Sequence, residues 1–156
     1  MSINETPVSS LNDLATAIQG TWWLLSREDW NKDGQKRIDP VLGADPVAIL
    51  VYAKNHFAAQ FMKKDRTTDS ITKATNAGQN NTSAIGGYDA YFGTFQIDEK
   101  TNKVAHTLTG SINPANIGIT VFRDLHVKED KLTIQLETTT PEGEAVTRTL
   151  IWKRIN

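Results

Sequence analysis

The stretch 28–40 carries acidic and amide side chains at a spacing typical of calcium-binding loops. Asp29, Asn31 and Asp33 fall at the first, third and fifth ligand positions of an EF-hand loop, and Gly34 stands where that loop bends sharply. A proline occupies the twelfth position, which must supply a bidentate carboxylate. The sequence therefore favours a two-residue hairpin turn at Asp33-Gly34, since glycine tolerates the positive φ of such turns.

A second set of candidate residues comes from counting across predicted hairpins. If 113–116 closes a symmetric hairpin, His106 lies directly opposite Arg123, and both interrupt apolar rows that should face inward. None of the predicted neighbours on this face is acidic. We therefore expect water or an anionic ligand to meet the guanidinium, and a neutral histidine beside it. Counting through the turns at 99–102, 129–130 and 141–143 extends the row, whose predicted members are Phe95, His106, Arg123, Leu136 and Arg148.

Two alternatives stay open for this row. The register of the hairpin can slip, or Arg123 can pack on an aromatic ring at one end of the fold. His106 alone is a weaker signal, because a single histidine in an apolar row is more often a satisfied core residue.

The elements that must position these residues are nearly all strands. Ser10 as N-cap and Gly20 as a stop signal predict one short helix. A strand should begin at Thr21, and further alternating runs occupy 47–53, 56–62, 90–98, 103–112, 117–127, 131–138 and 145–155. About eight to nine antiparallel strands in one domain predict an all-β, up-and-down barrel, because closure removes exposed sheet edges.

The first strand also predicts which side chains face each other at its start. Its alternation places Trp22, Leu24 and Ser26 on one face and Trp23, Leu25 and Arg27 on the other. In a closed barrel the first and last strands can be neighbours. Arg154 is then expected to stack on the indole of Trp22.

The chain divides into a tail and one domain. Residues 1–8 are predicted to be a disordered tail, and 9–156 a single barrel domain. The polar segment 64–87 is too long for an ordinary connection and predicts either a lid over the barrel mouth or a solvated loop.

Composition excludes several classes of function. The 156 residues are 38% hydrophobic and 22% charged, with a net charge of −1, so neither nucleic acid nor a membrane is an expected partner. Cysteine is absent, and neither a signal pattern nor a membrane-spanning run is recognised, which favours a cytoplasmic protein. His56 at a turn and His126 on the outer face make a three-histidine metal site an unlikely arrangement, so we expect no metal and no cofactor.

Several stretches together resemble the bacterial and fungal lipocalin-like domain family. They are "GTWWLLS", "DPVAILVYAKNHFAAQFMKKDR", "GYDAYFGTF", "VAHTLTGSINPANIGITVFR" and "LIWKR". The resemblance implies a small lipocalin-like β-barrel with Trp22 at its floor. Residues that match the family pattern are Tyr52, Gln60, Met62, Arg66, Tyr91, Gly93, His106, Ser111, Pro114, Gly118 and Arg123.

Three functions follow as expectations. The first is binding of a small, mostly apolar, anionic molecule inside the barrel, through Tyr52, Gln60, Met62, Tyr91, Phe95, His106, Arg123, Leu136 and Arg148. The second is an isomerase, cyclase or hydro-lyase of secondary metabolism, with His106 as general acid/base, Arg123 stabilising an enolate-like charge and Tyr91 donating a proton. The third is a structural or partner-binding barrel, such as a homodimer, because 47–53 and 56–62 are apolar on both faces.

Overall fold

The computed structural model describes residues 14–69 and 84–156. Residues 14–17 are helical and the helix ends before Gly20, whose φ of 126° suits glycine. The predicted cap Ser10, the predicted tail 1–8 and the middle of the predicted 64–87 loop lie outside the described residues. No helix in the described part of the chain is long and apolar enough to span a membrane.

Nine antiparallel strands follow the helix. They are β1 (Gly20–Trp30), β2 (Lys36–Arg37), β3 (Val47–Ala53), β4 (His56–Met62), β5 (Tyr88–Asp98), β6 (Lys103–Ser111), β7 (Thr120–Lys128), β8 (Lys131–Thr139) and β9 (Ala145–Arg154). Each strand from β3 to β8 pairs with the next, and β1 pairs with both β3 and β9, so eight strands close into a barrel. The short β2 is not part of the closed barrel and pairs with the end of β1, Asp29 with Arg37 and Trp30 with Lys36. The predicted up-and-down barrel is confirmed.

The tight hairpins form where the sequence predicts them. Lys54, Asn102 and Glu129 adopt positive φ angles of 56°, 58° and 56° in the turns that join β3 to β4, β5 to β6 and β7 to β8. These turns fix the registers on either side of them.

The turn after β1 is one residue longer than predicted. Asn31 N–H donates to the Gln35 carbonyl at 2.9 Å, which leaves 32–34 as a three-residue loop. The Asn31 side-chain oxygen accepts from the backbone N–H groups of Asp33 and Gln35 at 3.0 and 2.8 Å, and Gly34 supplies a φ of 78°. The amide oxygen that an EF-hand would offer to calcium therefore closes this turn.

One end of the barrel, here called the floor, is closed by Trp22 and the helix. Trp22 is fully buried, and its indole N–H donates to the Ile18 carbonyl at 2.9 Å. Arg154 stacks on the Trp22 ring at 4.3 Å and donates to the Gln19 carbonyl at 2.6 Å and to the Ala17 carbonyl. The predicted stacking of Arg154 on Trp22 is confirmed, and it joins the helix to both terminal strands.

Two irregularities change which side chains face inward. On β1, Leu24 pairs with Trp152 but Ser26 pairs with Ile151, so Leu25 is an extra residue that forms a β-bulge. On β6, Thr109 is extra in the same way, because Phe92 pairs with Gly110 and Gly93 with Leu108. Beyond each bulge the alternation of inward and outward side chains changes phase.

Candidate functional site

A cavity of about 50 Å³ lies inside the barrel above the buried floor residues. Its walls combine aliphatic and aromatic side chains with three arginines, one aspartate, one tyrosine and one histidine. The lining residues are Arg27, Leu42, Leu50, Ala59, Phe61, Asp89, Tyr91, His106, Arg123, Ile134, Leu136, Arg148, Leu150 and Trp152.

Two of the three arginines form buried ion pairs. Arg148 makes two hydrogen bonds to Asp29, from Nε to Oδ1 at 2.8 Å and from Nη2 to Oδ2 at 3.0 Å. Arg27 Nη2 lies 3.2 Å from Asp39 Oδ2. Burial and the nearby Arg148 lower the pKa of Arg27, while Asp29 and Asp39 act in the opposite direction. These two arginines are thus already neutralised by carboxylates of the protein.

The β-bulge at Leu25 turns one member of each ion pair, Arg27 and Asp29, toward the inside of the barrel. Uninterrupted alternation predicted Arg27 on the face of Trp23 and Leu25, opposite to Trp22, and this prediction is wrong. The extra residue reverses the phase of β1, so Arg27 and Asp29 are buried whereas Trp23 and Leu25 are exposed.

Asp39 reaches Arg27 from the irregular segment after β2. Its Oδ1 accepts from the backbone N–H groups of Val41 and Leu42 at 2.7 and 2.9 Å, and its backbone forms an isolated bridge with Gly43. This turn presents the side chain of Leu42 to the cavity.

Arg123 is the cavity arginine that lacks a carboxylate partner within residues 14–69 and 84–156. Its Nη1 donates to the Phe122 carbonyl at 2.9 Å. Burial is the main cause that lowers its pKa, and Arg148 acts in the same direction, while Tyr91 and Tyr52 raise it. A guanidinium keeps its charge in proteins. The cavity therefore contains one cation that no described carboxylate neutralises.

His106 lies beside this cation and is held by aromatic residues. Its Nε2 is 2.7 Å from the hydroxyl of Tyr52, and its ring stacks on Phe57 with a centroid distance of 4.2 Å. Only 5% of the residue is exposed. Burial, with a further contribution from Arg123, lowers the pKa of His106 to about 3. The predicted neutral imidazole follows from this environment.

Tyr91 completes the polar wall. Its ring lies between Phe57 and Phe61, with centroid distances of 5.9 and 6.3 Å. Burial raises the pKa of Tyr91 to about 12, and Asp89 contributes in the same direction. The hydroxyl therefore stays protonated at neutral pH.

The predicted row of residues is largely assembled. Phe95 pairs with His106 and Leu136 pairs with Arg148, as the counting predicted. The pairing of His106 with Arg123 is wrong: His106 pairs with Val121, and Arg123 with Val104. The β6–β7 connection holds a 3-10 turn at Pro114–Asn116 and a positive φ of 94° at Gly118, so it is not the symmetric hairpin assumed. A shift of two residues preserves the face, and both side chains still line the cavity.

The remaining predicted ligand-binding residues lie away from the cavity. Phe95 and Tyr52 are buried in the core below it, 4.9 Å apart between ring centroids. Gln60 and Met62 lie on the outer face of β4, where they border a shallow groove with Trp23, and Gln60 accepts a hydrogen bond from Tyr88. On this strand the inward positions are Phe57, Ala59 and Phe61. A homodimer through the outer face stays a prediction.

Five polar residues of the site were not identified from the sequence, among them Asp89, which lies before the predicted strand 90–98 although β5 begins at Tyr88. Arg27 and Asp29 were missed because a bulge cannot be read from alternation, and Asp39 because it follows an irregular turn. Trp152 also lines the cavity, and its buried indole N–H has no hydrogen-bond partner among the described residues. In the described part of the chain no cluster of three or more His, Cys, Asp or Glu could hold a metal ion.

The arrangement of strands and cavity agrees with the family comparison. The lipocalin-like domain family matches residues 19–155, from the start of β1 to the end of β9. A comparison with curated proteins found no match. With nearly all of its residues covered by that match, the chain belongs to the lipocalin-like domain family.

Proposed function

We propose that the barrel binds a small, mostly apolar organic molecule whose anionic group contacts Arg123. The observation that carries this proposal is the difference between the three cavity arginines. Arg27 and Arg148 each have a carboxylate partner, and Arg123 has none among the described residues. Arg123 is partly buried, and a partly buried cation gains most from an anion that also accepts its hydrogen bonds; a carboxylate can accept two of them from one guanidinium.

The rest of the wall suits an apolar ligand body. Leu42, Leu50, Ile134, Leu136 and Leu150 provide aliphatic surface around the polar groups. A cavity of about 50 Å³ is smaller than the roughly 150 Å³ that accommodates benzene. The acidic group and a few carbon atoms fit into this space, and a longer body requires the wall side chains to move apart.

The enzymatic alternative uses the same residues and is less well supported. With a pKa of about 3, His106 is neutral near pH 7, so it does not supply the imidazolium that would act as a general acid, and it is a weak base. Tyr91 also holds its proton tightly. The polar groups are better suited to hydrogen bonding than to proton transfer.

The proposal can be tested with n-alkanoates from acetate to octanoate, with calorimetry as the readout. Affinity should rise by about fourfold for each methylene group buried, until the cavity is full. Arg123→Leu should abolish this binding, whereas Arg154→Leu should leave the affinity unchanged because Arg154 lies at the floor. Equal losses in the two variants would refute the assignment of Arg123.

Native mass spectrometry of the purified protein provides an independent test. A molecule retained in the barrel should appear as a mass increment that is lost in Arg123→Leu. Retention of the same increment in that variant would show that Arg123 does not hold the ligand.

A further inference from the structure

The Tyr52 hydroxyl is buried and needs an acceptor for its proton. Tyr52 is 1% exposed, and the one hydrogen-bond partner of its side chain in the described part of the chain is His106 Nε2, at 2.7 Å. A buried hydroxyl that donates to nothing is strongly disfavoured. Tyr52 therefore donates, and Nε2 accepts.

We infer that Tyr52 fixes His106 in the tautomer protonated at Nδ1, so that this histidine, which lines the cavity next to Arg123, keeps a hydrogen-bond donor and no free acceptor. Tyr52 does not line the cavity itself and is a positioning residue. A neutral imidazole carries one proton, and acceptance at Nε2 leaves that proton on Nδ1. His106 has no other hydrogen bond among the described residues.

Two further groups share this donor character. The Arg123 guanidinium has five N–H donors and no acceptor, and one of its nitrogens contacts the Phe122 carbonyl. The Trp152 indole N–H, on a residue 1% exposed, lacks an acceptor among the described residues. Asp89 at the cavity wall has an interaction of its own, and the carboxylates of Asp29 and Asp39 are occupied by arginines.

These donors favour one chemical class of ligand, on the basis of the function proposed above. A deprotonated carboxyl group has about four acceptor sites and no donor, so it can meet several of these groups, and the Tyr91 hydroxyl can also donate to it. An alcohol or amide of the same size brings no charge to Arg123, and its own hydrogen has to compete for the Tyr91 hydroxyl. We expect an alcohol to bind about 10- to 100-fold more weakly than the matching carboxylate.

The tautomer can be measured without any ligand. In long-range proton–nitrogen NMR spectra of the ¹⁵N-histidine-labelled protein, His106 should show the pattern of an Nδ1–H imidazole. Tyr52→Phe should convert this signal to the Nε2–H form or to a mixture, while the surface residues His56 and His126 keep their signals. A proton on Nε2 in the unmodified protein overturns the inference.

The ligand class is tested with butyrate and 1-butanol, monitored by calorimetry and by the Trp152 indole signal assigned through Trp152→Phe. The unmodified protein should prefer butyrate by at least about tenfold. In Tyr52→Phe this preference should shrink, because His106 can then turn Nδ1 into an acceptor for the alcohol. A merely structural role of Tyr52 would weaken both probes equally, and that result overturns the inference.

Failure of this inference is distinguishable from failure of the proposed function. If Arg123→Leu abolishes butyrate binding but Tyr52→Phe leaves the preference unchanged, the function stands and the role of Tyr52 is refuted. If butyrate binds equally well to Arg123→Leu, the function is refuted. If neither probe binds, the ligand class is refuted together with the function.

Discussion

Asp29 and Arg148 occupy directly paired positions on β1 and β9 and are joined by two hydrogen bonds of 2.8 and 3.0 Å inside the barrel. Both side chains are almost completely buried. Attraction between the charges compensates their lost hydration only while both partners are present. The pair thus makes the closure between the first and last strands depend on an internal charge balance.

Removing one partner of the Asp29–Arg148 ion pair should strongly destabilise the folded protein. Arg148→Met leaves Asp29 buried without its cation, and we expect the free energy of unfolding to fall by about 3–5 kcal/mol in urea titrations. The double variant Asp29→Leu/Arg148→Met should recover much of this loss, because no lone charge remains.

A surface pair provides the control for that experiment. Lys103 Nζ lies 2.6 Å from Asp124 Oδ1, and both side chains are about half exposed. Lys103→Met should cost less than about 1 kcal/mol. If the stability losses of Asp29→Leu and Arg148→Met simply add up in the double variant of the buried pair, the charge-balance explanation is contradicted.

His106 should make the stability depend on pH. Its pKa is about 3 in the folded protein against an ordinary value of 6.5, so the unfolded chain takes up a proton first as the pH falls. The associated stability is complete above pH 6.5 and is lost on acidification toward pH 3, with a slope of about 1.4 kcal/mol per pH unit.

The matched variant for this pH dependence is His106→Gln, which retains hydrogen-bonding capacity and does not titrate. Urea unfolding between pH 6.5 and 4 should show a shallower decline for His106→Gln than for the unmodified protein, since the carboxylates titrate in both. Parallel curves would mean that His106 is protonated in the folded barrel.

Gly93 should not tolerate a side chain. A Cβ at this position would overlap the Thr107 carbonyl oxygen and lie 2.9 Å from the Thr109 amide nitrogen, because β6 approaches β5 closely at its bulge. Gly93→Ala should lower the free energy of unfolding by about 3 kcal/mol or more. The neighbouring Thr94→Ala, on the exposed face, is the control and should change stability by less than about 1 kcal/mol. A mild effect of Gly93→Ala would show that the strands can separate there.

Arg154 should contribute to stability and not to ligand binding. Arg154→Leu removes the stacking on Trp22 and the donations to the Gln19 and Ala17 carbonyls. We expect a loss of about 2–4 kcal/mol in thermal or urea unfolding. Arg154→Lys keeps the charge but cannot reproduce the planar fork, and it should recover less than half of that loss. Full recovery by lysine would reduce the role of Arg154 to its charge alone.

The sequence predicted those parts of the site that depend on short turns. Counting through 99–102 placed Phe95 beside His106 correctly, because a tight hairpin leaves no freedom of register. The same counting failed across the β6–β7 connection, because β6 ends at Ser111 and β7 begins at Thr120, so residues 117–119 that were predicted as strand belong to the connection. His106 and Arg123 still face inward as predicted, because the register error between β6 and β7 is two residues.

The ionic half of the site could not be predicted in this way. Uninterrupted alternation places Arg27 and Asp29 on the face opposite to Trp22, and the β-bulge reverses this. The bulge itself depends on how β1 fits against β9. Asp39 approaches from a segment without periodicity, so no pattern indicated its contact with Arg27. Tertiary packing decides both cases.

The single extra residue at Leu25 also marks a boundary inside the barrel between an apolar region and a charged one. On the floor side of Leu25, β1 contributes Trp22 and Leu24 to the apolar core, and on the other side it contributes Arg27 and Asp29 to the ion pairs. The boundary between them is set by the position of the bulge. If β1 ran through Leu25 in regular alternation, Ser26 and Glu28 would face inward in place of Arg27 and Asp29, so one unpaired residue determines which side chains carry charge into the barrel.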